Sequence, residues 1–139
     1  MVQRRSDVFS TEEVARVAEF RAALRQFLRK SERIARQSGL TPQRHLLLLM
    51  IKGAPDGRES STVTELAARL QLAQSTVTEL VRRAEEVGLI EREQSVDDAR
   101  VAHLRLTVEG ERRLRDSFTT HANEREELRN AFEQLDSAL

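Results

Sequence analysis

A mostly α chain with a small β-hairpin wing is predicted by three observations. Between residues 62 and 107 two short amphipathic helices, a tight break and a hairpin with a basic tip follow one another. Long stretches with helical apolar periodicity stand on both sides of that segment. The few glycines fall at helix ends and in loops. This order is the layout of a winged helix-turn-helix. One domain over residues 1–139 is expected, with the winged helix-turn-helix in 41–106 and a helical dimerisation region in 11–38 and 107–139.

The first helix is predicted from near Thr11 to near Ser38. Ser10-Thr11-Glu12-Glu13 supplies capping chemistry, and Val14, Val17, Leu24, Phe27, Leu28 and Ile34 mark one face. Ser38-Gly39 ends it, and Thr41-Pro42 starts the next, with Thr as cap and Pro at the first helical position, where a missing N–H is harmless. Leu46 through Ile51 is apolar all round, so this second helix is expected to be central and buried. Residues 53 to 61 read as a loop leading into a short strand near Ser60 to Thr62. Thr62-Val63-Thr64-Glu65 then opens a helix by reciprocal capping, and Leu66, Ala67, Leu70 and Leu72 form its stripe. Ala67 supplies the small side chain that a near-perpendicular helix crossing needs, and Gln71-Leu72-Ala73 makes the turn. Val77, Leu80, Val81 and Ala84 form the inward face of the following helix, which Gly88 terminates. Leu89 to Glu93 and Val101 to Leu106 are the hairpin strands, and the link between them, residues 95 to 100, is long enough to project as a wing. Thr107 caps a helix whose face is expected to include Val108, Leu114 and Phe118, and a last helix carries Leu128, Ala131, Phe132 and Leu135.

Composition excludes several classes of function. The chain has no Cys, which removes disulfides, thiol sensing and Cys-ligated metal sites. His45, His103 and His121 lie on three elements without ligand spacing, and no metal or other cofactor is expected. No nucleophile, acid/base pair or phosphate loop is present, so an enzyme is not expected. No apolar run approaches a membrane span, and Met1 to Asp7 is basic and polar without a following apolar signal core, so a cytoplasmic chain with no membrane partner is expected. With 39% hydrophobic and 33% charged residues the core of a monomer is thin, and the terminal helices call for a second copy.

At Thr64-Glu65-Leu66-Ala67 with Leu70, Ser75-Thr76-Val77-Thr78, Leu80-Val81, Glu86 through Arg92, Asp98-Ala99-Arg100, and Leu106-Thr107 with Gly110, the sequence resembles the MarR family of bacterial transcriptional regulators. The pattern covers roughly a third of the chain, and its order and spacing are more specific than any single fragment. The resemblance implies a homodimer with interlocked terminal helices, the second helix of the reading head in the major groove and the wing at the minor groove. It also implies a site for a small effector, often aromatic or phenolic. Phe20, Phe27, His45 and Met50 are the candidate lining, against the plain alternative of core packing. Relative to the family pattern, Glu79 replaces a basic or polar residue, Ala73 replaces a capping residue, and Ala99 replaces a second wing Arg.

Helical rotation alone assigns the rest of the candidate interface. With Val77, Leu80, Val81 and Ala84 inward, Ser75, Thr78, Glu79 and Arg82 point outward, with Thr76 and Arg83 at the flanks. Ser75 and Thr76 suit phosphate or base hydrogen bonds, Arg82 a phosphate or guanine, and Glu79 a cytosine amino group. Arg100 is the wing cation and Asp98 the residue that orients it. The alternative is that Arg82 and Arg83 pair with Glu79 and Glu86 on an ordinary solvated face. Charge sharpens that contrast: the whole chain is neutral, and residues 60 to 110 hold six Arg against nine Asp and Glu. Two functions follow. One is a dimeric regulator, expected to repress, that binds double-stranded DNA at a palindromic operator and is tuned by a small aromatic ligand. The other is a winged-helix module that binds another protein.

Overall fold

Ser10 Oγ accepts from the Glu13 amide at 3.1 Å and thereby starts helix α1, Thr11–Gln37, in a computed structural model that describes residues 10–94, 97 and 100–136. The helix stops where Gly39 takes φ +76°, a left-handed conformation that suits a residue without Cβ. There Leu40 N–H reaches back to Ala35 O at 2.9 Å and Gly39 N–H to Arg36 O at 3.1 Å, so the orphan carbonyls of the last turn are satisfied. By internal contacts the chain divides into two compact units. One takes residues up to Ile34 and from Thr120 onward; the other is Ala35–Thr119.

In the Ala35–Thr119 unit, Thr41 caps α2, Pro42–Lys52, accepting from Arg44 N–H at 3.2 Å, with Pro42 in the first turn as expected. Leu47, Leu48 and Ile51 are buried. The expectation of an apolar helix buried all round is corrected at Leu46, which is exposed: the 3.6-residue repeat gives α2 one inward face, and Leu46 lies off it. A single 3-10 turn at Pro55–Gly57 leads to β1, Ser60–Ser61. Thr62 then opens α3, Val63–Leu70, with both halves of the predicted capping box formed. Gln71 ends α3 in the left-handed region at φ 57°, and this terminator turns Leu72 outward, so Leu72 does not join the α3 stripe. Arg69 ties α3 back to α2 through Met50 O at 2.9 Å.

Helix α4, Gln74–Glu86, buries Val77, Val81 and Ala84 and closes at Gly88, φ +76°, by the same pair of returning hydrogen bonds that ends α1. Strands β2, Ile90–Gln94, and β3, Ala102–Leu106, form an antiparallel hairpin with Arg92 opposite Leu104. Ser61 of β1 pairs with Leu104 on the other side, giving the order β1-β3-β2. Leu104 and Leu106, two residues apart on one face of the central strand, enter a core with Leu47, Leu48, Ile51, Leu66 and Val77. Ser95, Val96, Asp98 and Ala99 of the wing lie outside the described residues, and with them the expectation for Asp98.

Thr107 joins the hairpin to α5, Val108–Thr120. Its hydroxyl accepts from Gly110 N–H at 3.0 Å and donates to Gly88 O at 2.6 Å, while its own amide reaches Leu89 O at 3.0 Å. The buried stripe of α5 is Gly110, Leu114 and Ser117, not the expected Val108, Leu114 and Phe118. Val108 is 90% exposed and Phe118 is half-exposed. Gly110 governs this phase: a Cβ there would meet Leu89 O at 2.2 Å, so the helix turns its bare residue toward the β2 approach and Val108 outward.

In the other unit, α6, Ala122–Asp136, packs on the N-terminal part of α1. Phe20 meets Phe132 edge-on at 5.9 Å between ring centres, Phe27 lies 4.6 Å from the His121 ring, and Lys30 pairs with Glu127 at 3.4 Å. Val14, Val17, Leu28 and Phe132 remain about half exposed.

Candidate nucleic-acid interface

The face of α4 opposite Val77, Val81 and Ala84 carries the residues that helical rotation assigned to it. Ser75, Thr76, Thr78, Arg82 and Arg83 are exposed and Glu79 is half-buried. No side chain caps the helix, because the capping position is Ala73, in an extended conformation that a Ser would use equally well. The first amides of α4 therefore receive nothing from that residue.

Along this face the charges are arranged in a lattice. Glu79 takes Arg82 in a bidentate grip, Nε to Oε2 at 2.9 Å and Nη2 to Oε1 at 2.6 Å, and also accepts from Arg83 Nε at 3.0 Å. Glu86 holds the remaining arm of Arg82. The hydrogen bonds from Arg82, then that from Arg83, pull the Glu79 carboxyl down to about 2, so it is ionised at neutral pH. Arg82 is in turn raised by Glu79. The solvated pairing set out as the alternative to groove contacts is thus the arrangement these side chains adopt on α4. One helical turn on, Arg92 Nε from β2 bridges both oxygens of Glu85 at 2.9 and 3.0 Å, and Arg105 on β3 lies 3.8 Å from Glu93. The Glu85–Arg92 clasp joins α4 to the wing across the Gly88 turn. Glu85 lies on the helix and Arg92 on the strand beyond the Gly88 turn, so neither the helical nor the strand repeat relates them. Arg100 stands exposed at the end of the wing turn.

The candidate ligand residues fall in different places. Phe20 and Phe27 belong to the unit of the terminal helices, where they pack on Phe132 and His121. His45 and Met50 belong to the Ala35–Thr119 unit. An apolar crevice of about 340 Å³ opens in that second unit, between α2 and α5, and none of the four lines it. Its walls are Leu49, Leu114 and Phe118, with Lys52, Glu111 and Arg115 at the edge. The hydrogen bond to Glu111, then that to Glu59, raises Lys52, so the ammonium is held charged beside the crevice. Sequence reasoning missed this site because its walls come from two separate helices, whose edge residues Lys52 and Glu111 are 59 positions apart.

A MarR family model matches residues 38–101, from the end of α1 to the far side of the wing. YsmB of Bacillus subtilis (strain 168), an uncharacterised HTH-type transcriptional regulator, is 32% identical over 106 residues, covering 76% of this chain and 68% of YsmB. The chain belongs to the MarR family of transcriptional regulators. Among solved structures, the M. tuberculosis transcriptional regulator MOSR in complex with DNA is 30% identical, with TM-score 0.55, over 71% of this chain and 68% of MOSR. AbsC, a MarR family regulator from Streptomyces coelicolor, is 20% identical with TM-score 0.68 over 91% of this chain and 82% of AbsC, a likeness of fold. Within the MarR frame, the departures read from the sequence acquire structure. Ala73 leaves α4 without a side-chain cap, and Glu79 is the hub of the charge lattice.

Proposed function

We propose that this MarR family chain is a homodimeric repressor that binds double-stranded DNA, laying α4 in the major groove and the wing near Arg100 against the minor groove or its phosphates. The observation that carries the reading is the division of α4: Val77, Val81 and Ala84 are sealed in the core while Ser75, Thr76, Thr78, Arg82 and Arg83 are presented to solvent on one helix of groove-filling width. MOSR, a relative solved on DNA, supports it. Dimerisation is supported by the half-exposed Val14, Val17, Leu28 and Phe132 of the terminal helices, which one copy leaves uncovered. A small aromatic ligand fits the crevice beside Leu49, Leu114 and Phe118, whose edge carries Lys52, Glu111 and Arg115. To act as an effector it must favour one of two DNA-binding states.

The test is a titration of the parent, Arg82→Ala and Arg100→Ala on the intergenic duplex upstream of the gene and on a scrambled duplex, at two salt concentrations. Arg82→Ala should weaken the intergenic duplex roughly five- to hundredfold and the scrambled one much less. Arg100→Ala should weaken both and reduce the salt slope by about 0.9 per subunit. A second reading, a winged-helix module for another protein, is favoured by the pairing of Arg82 and Arg83 with carboxylates. It becomes the better one if all three proteins bind the two duplexes alike.

A further inference from the structure

The outward face of α4 carries no net positive charge, although it carries two arginines. Arg82 and Arg83 are matched by Glu79 and Glu86, and Glu79 alone touches both arginines. A phosphate that approached Arg82 would have to displace a bidentate carboxylate and then sit beside it. Binding to arbitrary DNA rests almost wholly on such phosphate contacts, so this lattice works against it. A base pair is a different ligand. In the major groove guanine offers two acceptors, O6 and N7, and its cytosine offers an amino donor. Glu79 and Arg82, side by side at i and i+3 on the exposed face, offer the complement: an ionised acceptor and a guanidinium of which three of the five donors are engaged by Glu79 and Glu86. A G·C pair can therefore be met without leaving the carboxylate facing an anion.

We propose that Glu79 is the specificity-determining residue of α4: it withholds Arg82 and Arg83 from phosphate and, together with Arg82, selects a G·C base pair. This rests on the DNA-binding reading given above. Discrimination of this kind comes from a repulsive element set against the wrong partner as much as from attraction to the right one. Glu79 stays ionised throughout the physiological range, held there by the same two arginines, so its effect does not fade with mild acidification.

The experiment uses the full chain and a pool of duplexes with a randomised central stretch, from which bound sequences are recovered and read. The parent, Glu79→Gln and Glu86→Gln are compared, and each is also titrated on the unselected pool across a range of salt. The parent should enrich a motif with a G·C preference in each half. Glu79→Gln should flatten that one preference, bind the unselected pool more tightly, and steepen its salt dependence by about 0.9 per subunit. Glu86→Gln, which removes a charge that touches Arg82 alone, should gain on the unselected pool while keeping the base preference. A Glu79→Gln variant that recovers the parent's motif unchanged, or gains nothing on the unselected pool, overturns the assignment while leaving DNA binding intact. A parent that enriches no sequence and does not bind the pool at low salt overturns the DNA-binding reading, and this assignment with it.

Discussion

Replacing Gly110 by Ala should destabilise the winged-helix unit despite improving helix propensity. The added methyl would stand 2.2 Å from Leu89 O, where ordinary contact begins near 3.4 Å, so one partner must retreat by about 1.2 Å. Neither has room. Leu89 is buried, its carbonyl accepts the Thr107 amide at 3.0 Å, and Gly110 N–H is itself bound to the Thr107 hydroxyl. Overpacking of this kind costs about 1–3 kcal/mol, and loss of one backbone hydrogen bond adds about 1 kcal/mol. Against this, Ala gains at most about 1 kcal/mol over Gly in a helix. The net loss is about 2 kcal/mol, a fall in Tm of roughly 5–10 °C for a chain of this size. Thermal unfolding followed by circular dichroism measures it, with Val108→Ala in the same first turn as the control, since Val108 faces solvent and should move little. A Gly110→Ala protein that melts with the parent or above it would show that α5 does not press on the β2 approach, and the account of why Val108 faces outward would fall with it.

Two other perturbations follow from the same geometry. Ala73→Ser should supply the missing cap of α4 and stabilise the protein by about 0.5–2 kcal/mol, read as a higher Tm; an unchanged Tm would mean that the α4 amides are already satisfied. His121 is 5% exposed, its Nε2 has no partner among the described residues, and burial pushes its pKa below the ordinary 6.5. The folded state therefore binds fewer protons than the unfolded one below that value, so stability is whole at neutral pH and is lost as pH falls from about 6.5 through the lowered folded value. Urea midpoints of the parent at about pH 7.5 and about pH 5.5 should differ more than those of His121→Phe, and equal differences would refute the linkage.

Helix starts were legible because each is a local event: Thr41-Pro42, Thr62 with Glu65, and Thr107 each act within three or four residues, and all three caps form. The lattice on α4 was legible for the same reason, since i, i+3 and i, i+4 neighbours must meet whatever the tertiary fold. What escaped was set by approach between distant segments. The phase of α5 is dictated by the carbonyl of Leu89, which lies 21 positions before Gly110, and no periodicity in residues 108–120 contains that information. Leu72 carries an apolar side chain to the surface because the left-handed Gln71 has already turned the backbone. The crevice walled by Leu49, Leu114 and Phe118 exists only once α2 and α5 are side by side.

Strand β2 is the outer rail of a three-stranded sheet, and an outer rail offers unpaired backbone groups to any extended peptide that drifts past. Of its five residues only Ile90 is buried; Glu91, Arg92, Glu93 and Gln94 are exposed. Arg92 is clasped by Glu85, and Glu93 stands near Arg105. A foreign strand docking there would have to strip those ion pairs and cover three charges within one short stretch, so crowding at high concentration should not zip neighbouring molecules together along their wings.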